Sequence, residues 1–174
     1  MKFSVSRIGY FADFVTMPLA LLVLPAVEMA LHGPSAAFWL AVPVGLVLWT
    51  LFEYGLHRVV FHSDSTIGRG HDVHHARPAA LIGLASAYTL AALCALYAAA
   101  VALCGWRIGG GLTLGFVAGY LGYIAIHYAI HHRRIEPASL LYAAKMRHIA
   151  HHRGGQGNYG VTVPWWDAVF RTRV

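Results

Sequence analysis

GGGLTLGFVAGYLGYIAIHYAIHH, residues 109–132, joins two signals in one stretch. As far as Ile126 it is apolar and rich in glycine, and a helix needs about 20 such residues to cross a bilayer. It then ends in His127-x3-His131-His132. Residues four apart share a helix face, so His127 and His131 project together from the end of an apolar rod. Histidine is the commonest metal-ligating side chain. This one stretch therefore predicts a spanning helix with a metal site at its end.

The same construction recurs along the chain. Apolar runs cover Phe11–Leu31, Ala36–Phe61 and Pro78–Cys104, besides Gly109–His131. Histidines cluster as His57-x4-His62, His71-x2-His74-His75 and His148-x2-His151-His152. Only 11% of the 174 residues are charged, against about 25% in soluble domains. These features predict an all-α fold: an integral membrane four-helix bundle with a histidine-rich two-metal site and short amphipathic helices, forming a single domain over 1–174. Lys2 and Arg7 precede the first run, as in a signal peptide. That run exceeds the usual apolar core of about 7–15 residues, so it is read as a retained helix. Its Pro18 and Pro25 are tolerated in spanning helices. Gly115-x3-Gly119 is a candidate close-packing pair.

The net charge of +6 does not indicate nucleic acid, because the basic residues flank apolar runs and form no solvated face. They report topology instead. Of the 13 Lys and Arg, only Arg107 falls on the hairpin tips at Leu31–Ala36 and Gly105–Gly110. The other twelve, Lys2 included, fall on the side of the termini. Basic loops mark the cytoplasm, so both termini and all four histidine clusters are expected there, with residues 132–174 as a cytoplasmic part. Cys94 and Cys104 lie ten residues apart in one run, about 15 Å of helical rise, too far for a disulfide. Both are expected to be small buried residues.

After the last span, Glu136-Pro137-Ala138-Ser139 reads as a helix start, and Ser139–His152 as a surface helix ended by Gly154-Gly155. Asn158-Tyr159-Gly160 reads as a turn. Trp165, Trp166 and Phe170 suit the membrane interface.

The spacings i, i+3 and i+4 bring His71, His74 and His75 to one face, and His148, His151 and His152 to another. His57 and His62 are five apart, so the helix must fray or tighten for both to converge. Ten imidazoles exceed one coordination sphere of four to six, which predicts two ions. Imidazole suits zinc, copper, iron and nickel. The cysteines that structural zinc favours are misplaced here, and a nitrogen-rich pair suits oxygen chemistry on iron. Glu53, one turn before His57, is a candidate partner for a ligand's outer nitrogen, or for Arg58. His132, Asn158 and Asp167 are further candidates for such support. Asp64 and Asp72 are similar candidates, and they and Asn158 are read equally as helix cap or turn residues. His32 lies at the opposite hairpin tip, away from the site.

The pattern HxxxxH, HxxHH, HxxxH and HxxHH, met in order by His57, His62, His71, His74, His75, His127, His131, His148, His151 and His152, resembles the fatty acid hydroxylase / sterol desaturase superfamily of membrane di-iron oxygenases. The resemblance covers Glu53 to Thr172. Within it, Asn158-Tyr159-Gly160-Val161-Thr162 followed by Trp166-Asp167-x2-Phe170 is similar to the tail of fatty acid 2-hydroxylases. The resemblance implies two irons held by those ten histidines, O2 as co-substrate, and a lipid substrate drawn from the bilayer. Zinc is expected to replace iron where expression supplies it. Eukaryotic 2-hydroxylases often carry a cytochrome b5-type domain, and about ten residues precede the first span here. A separate donor is therefore expected: a cytochrome b5-type protein, a ferredoxin or a reductase. The bacterial inner membrane or the endoplasmic reticulum would house such an enzyme. The short His62–His71 connection implies a small cap over the site. Carotenoid ring hydroxylation and sterol desaturation or oxidation stay open as alternatives. A membrane metal transporter or sensor is the alternative from another class, and a transporter would place its ligands nearer the midplane.

Overall fold

The structure is a computed structural model that describes residues 4–154 and 156–174. Lys2 and Gly155, used in the topology and helix-end readings, lie outside the described residues. The elements in order are α1 (Arg7–Phe11), α2 (Asp13–His32), α3 (Ala36–Gly55), a π-helical segment (Leu56–Phe61), α4 (Thr66–Ala76), α5 (Ser86–His132), α6 (Tyr142–Gly154) and α7 (Trp165–Val169). Among the described residues there is no strand, and one isolated bridge joins Ser4 to Ile82. The all-α expectation holds. Among the described residues, three helical stretches are long and apolar enough to cross a membrane: Arg7–His32, Ala36–Phe61 and Ser86–His132.

The third of these is two arms. Gly105, at φ 77 and ψ 167, is non-helical inside the 47-residue α5. A Cβ on Gly109 would lie 2.6 Å from the carbonyl carbon of Ala100. Nine residues along a straight helix would separate them by about 13 Å, so the chain doubles back at Gly105, where glycine alone readily adopts the required positive φ. The arms run over 86–104 and 106–132. The first of the pair starts later than hydropathy indicated. Residues 78–85 are non-helical, because Pro78 and Gly83 do not continue a helix.

The chain divides into two compact units, one comprising Val5–Trp49 and Leu84–Leu121, the other built chiefly from Thr50–Gly83 and Gly122–Val174. In the first, α3 and the second arm of α5 pack backbone to backbone. A Cβ at Gly111 would fall 2.1 Å from the Phe38 carbonyl oxygen, one at Gly115 1.9 Å from that of Val42, and one at Gly45 2.0 Å from that of Leu112. A Cβ at Gly119 would meet the Trp49 ring at 2.4 Å. The small-residue seam thus extends beyond the 115/119 pair, with Gly111 one turn earlier on the same face. Trp49 packs edge-on against Phe116 and Tyr120, and the Tyr120 hydroxyl donates to buried Asp13. His32 bonds Glu28 at 3.1 Å, and Arg107 donates to its carbonyl.

Cys94 and Cys104 are exposed, not buried as expected. On a helix with apolar residues all round, apolarity no longer reports which side faces protein. Large apolar side chains such as Leu22, Leu40 and Val47 are likewise exposed on α2 and α3, as lipid-facing surfaces require.

In the second unit, Ser65 caps α4 by accepting from Gly68 N at 3.1 Å. Asp64 is not the cap, and its carbonyl takes the Arg69 guanidinium. α6 begins at Tyr142, three residues after the expected Ser139, because 136–142 forms successive turns through Ser139 N to Glu136 O and Tyr142 N to Ser139 O. Ile130, Ile135, Ala144 and Val161 form the buried apolar cluster, with Tyr123, Ile126 and Leu141 against it. The cluster fixes α6 beside the end of α5.

Candidate metal centre

The π segment solves the five-residue spacing. Its turns follow i→i+5 geometry, so His57 and His62 fall on one face, their rings stacked at 5.4 Å. The helix therefore widens where fraying or tightening was expected. His71, His74 and His75 come from α4, His127 and His131 from the last turns of α5, and His148, His151 and His152 from α6.

These rings gather into two groups. One is His57, His62, His71, His75 and His151; the other is His74, His131, His148 and His152, and in each group the ligating atoms lie within 4.8 Å of one another. His127 adjoins the second group, with its Nε2 3.1 Å from His74 Nε2. The groups touch where the His75 and His152 rings stack at 4.2 Å.

The contacts are between like atoms. Nε2 of His71 lies 3.1 Å from that of His57 and 2.9 Å from that of His75. Nε2 of His148 lies 2.9 Å from that of His131 and 3.0 Å from that of His152. A single imidazole nitrogen offers one proton or one lone pair, and cannot serve two such neighbours as hydrogen bonds. Two nitrogens bound to one metal at about 2.1 Å would lie about 3.0–3.4 Å apart for right-angle to tetrahedral geometry. The donor set and its spacing fit metal binding.

The outer nitrogens explain part of the orientation. His57 Nδ1–H donates to the Tyr159 carbonyl at 2.6 Å, and His151 Nδ1–H to the Gly157 carbonyl at 2.8 Å. A carbonyl only accepts, so each bond places the proton on Nδ1 and leaves the Nε2 lone pair facing inward. The loop carrying these carbonyls is clamped by two buried carboxylates. Asp167 accepts from Tyr159 N and Gly160 N, each at 2.8 Å, and from the Thr172 hydroxyl. Glu53 accepts from Val161 N at 2.7 Å, Thr162 N at 2.9 Å and the Thr162 hydroxyl.

Glu53 thus holds the loop backbone, and the Arg58 guanidinium donates to the Tyr54 hydroxyl. Asn158, at φ 51, bonds the Val174 backbone through its side chain. His132 stacks on Tyr128 and belongs to neither group, and His32 lies in the other unit. Trp166 donates to Thr50 while Trp165 is exposed, and Phe170 stacks on Tyr54. The Tyr159 and Gly157 carbonyls carry no side-chain signature. The signal that could have found them is the Gly157-Asn158 pair, whose positive φ values of 128 and 51 suit Gly and Asn.

The imidazoles outside the spans are held neutral, as ligation requires. Burial, with a smaller contribution from neighbouring imidazoles, lowers His74 and His75 to about 3. Burial also lowers His152, to about 4, and pushes His71, His148 and His151 down. The unfolded chain, with histidines near 6.5, takes up these protons first. Stability of the metal-free protein is therefore expected to be level above about pH 6.5 and to fall steadily as pH drops towards about 4. Thermal unfolding in detergent across that range checks it. A midpoint that rises on acidification contradicts the burial of neutral rings.

Known proteins agree with this geometry. The fatty acid hydroxylase family profile matches residues 42–172, a range that contains all ten grouped or adjoining histidines. The chain belongs to the fatty acid hydroxylase family. It is 35% identical over 144 residues to the ceramide very long chain fatty acid hydroxylase of Saccharomyces cerevisiae, covering 74% of this chain and 36% of that one. It is 32% identical over 152 residues to a dihydroceramide fatty acyl 2-hydroxylase of Arabidopsis thaliana, covering 76% and 60%. Against human fatty acid 2-hydroxylase it is 28% identical over 176 residues, covering 94% and 47%. The chain thus spans between about a third and three fifths of the length of these relatives. Among solved structures it is similar to full-length Scs7p, in which only the hydroxylase domain is visible. That match has a TM-score of 0.83 and 25% identity, over 99% of this chain and 68% of the other.

Proposed function

We propose that this chain is an O2-dependent di-iron hydroxylase that inserts one oxygen atom into an acyl C–H bond at the 2-position. The carrying observation is the convergence of imidazole Nε2 atoms into two adjoining groups, with His57, His127 and His131 contributed by helices long and apolar enough to cross a membrane. The names of the relatives, ceramide or fatty acyl hydroxylases, support a lipid substrate. His57, His62, His71, His74, His75, His127, His131, His148, His151 and His152 are the proposed ligands. Reduced iron at such a site supplies the activation of O2 that an unactivated C–H bond requires.

The protein's own contribution is placement. Burial keeps the imidazoles neutral, and the Tyr159 and Gly157 carbonyls orient two of them. His57 and His127 lie at helix ends, so the site would sit near the interface. A lipid keeps its polar end there, because burying it without partners is costly. The carbons beside the carboxyl group are then the ones within reach. The twelve-to-one distribution of basic residues supports a cytoplasmic site in the bacterial inner membrane or endoplasmic reticulum. We read 1–174 as one membrane domain that crosses four times.

The test is to give the purified chain O2, a reductase system, and acyl lipids or carotenoids in turn. The expected product is an acyl lipid heavier by one oxygen, which fragmentation maps to the 2-position. Oxygen on a carotenoid ring with acyl lipids untouched rejects the proposal.

A further inference from the structure

The two imidazole groups are supported differently. The loop carbonyls reach His57 and His151, both in the group of five. Among the described residues, no bond from that loop reaches the group containing His148, whose Nδ1 is buried without a partner. The loop itself holds its shape through Glu53 and Asp167. Together these carboxylates accept from the backbone N–H groups of residues 159–162. Asp167 is fully buried and Glu53 3% exposed, so water does not substitute readily for either set of bonds.

We propose that Glu53 and Asp167 are positioning residues for one metal position only. They act through the 157–162 loop on His57 and His151, and so set the metal affinity of the first group while leaving the second unchanged. The proposal rests on the ligand assignment above but not on the reaction assigned to it. The physical reason is that a ligating imidazole needs its outer N–H held. In the first group that hold is relayed from two carboxylates through backbone carbonyls. Loss of either carboxylate leaves buried N–H groups without acceptors, the loop shifts, and both carbonyls leave their rings together.

The experiment uses the full chain in detergent, loaded with Zn2+ and then exposed to a competing chelator. The parent should release two ions per chain. In Asp167→Asn, and in the milder Thr162→Val, which removes one hydroxyl bond to Glu53, one ion should be held about 10–100-fold more weakly, the usual cost of losing a ligand's outer support. The other ion should be unchanged.

Pairing the changes distinguishes a positioning role from general damage. Asp167→Asn added to His57→Ala should leave the remaining ion's affinity unchanged, whereas added to His148→Ala it should weaken the ion that remains by the same factor. Thr162→Val keeps the test open should Asp167→Asn not fold. Equal weakening of both ions, no weakening of either, or fewer than two ions in the parent would overturn the proposal. A parent that binds two ions and hydroxylates nothing would instead count against the proposed reaction alone.

Discussion

Alanine at His148, His151 or His152, one at a time, is expected to reduce hydroxylation to background, while His32→Ala keeps the parent's rate per folded chain. His148 Nε2 contacts the Nε2 atoms of both His131 and His152, and His151 Nε2 lies 3.2 Å from that of His62. Each ring is thus a junction. Removing an outer partner of a ligand costs about 10–100-fold in affinity or activity, and removing the ligand itself costs more. His32 also lies at a helix end, but its Nδ1 is engaged by Glu28. Product formation normalised to folded protein is the readout. Equal damage from His32→Ala would mean that the site has been assigned to the wrong histidines.

Gly115→Leu is expected to abolish the yield of monodisperse protein. The obstacle to a Cβ there is the Val42 carbonyl oxygen at 1.9 Å, a backbone atom that no rotamer change can move. Ordinary overpacking costs about 1–3 kcal/mol, and a clash with main chain exceeds the upper end because two helices must separate. Gly122→Leu on the same helix is the control, since nothing lies within 4 Å of a Cβ at that position. Size-exclusion profiles of the two variants decide the matter. Similar profiles would show that α3 and α5 are not packed as described.

The histidine pattern was legible because metal ligation imposes helical spacing on residues close in sequence. His71, His74 and His75 needed no knowledge of the fold, and the structure brings all three to the site. Glu53 was visible as a costly acid in an apolar helix, but its partners Val161 and Thr162 lie 108 and 109 residues away. No local spacing encodes that pairing. The burial of Cys94 and Cys104 was misjudged for a solvent reason: in lipid, the outside of a bundle is as apolar as the inside. The start of the arm at 86 was misplaced because hydropathy averages over Pro78–Ala85 without registering that Pro and Gly interrupt hydrogen bonding there. The Gly111–Gly45 extension of the helix seam was missed because contacts between helices depend on which faces meet.

The π segment over Leu56–Phe61 has a consequence for how relatives are aligned. Each α-helical residue advances the chain by about 100°, and a π turn absorbs one extra residue without breaking the rod. Glu53 and His57 are phased by the helix before that extra residue, and His62 by the chain after it. Deleting one residue between the two histidines would leave an i, i+4 pair and a motif that still looks intact. With the extra residue gone, an ordinary α turn would carry the second histidine on the same face as His57, so its phase relative to Glu53 would be nearly kept. A gap at this place in an alignment therefore marks the exchange of a π turn for an α turn, with both histidines still on one face and Glu53 still placed to hold the 161–162 backbone.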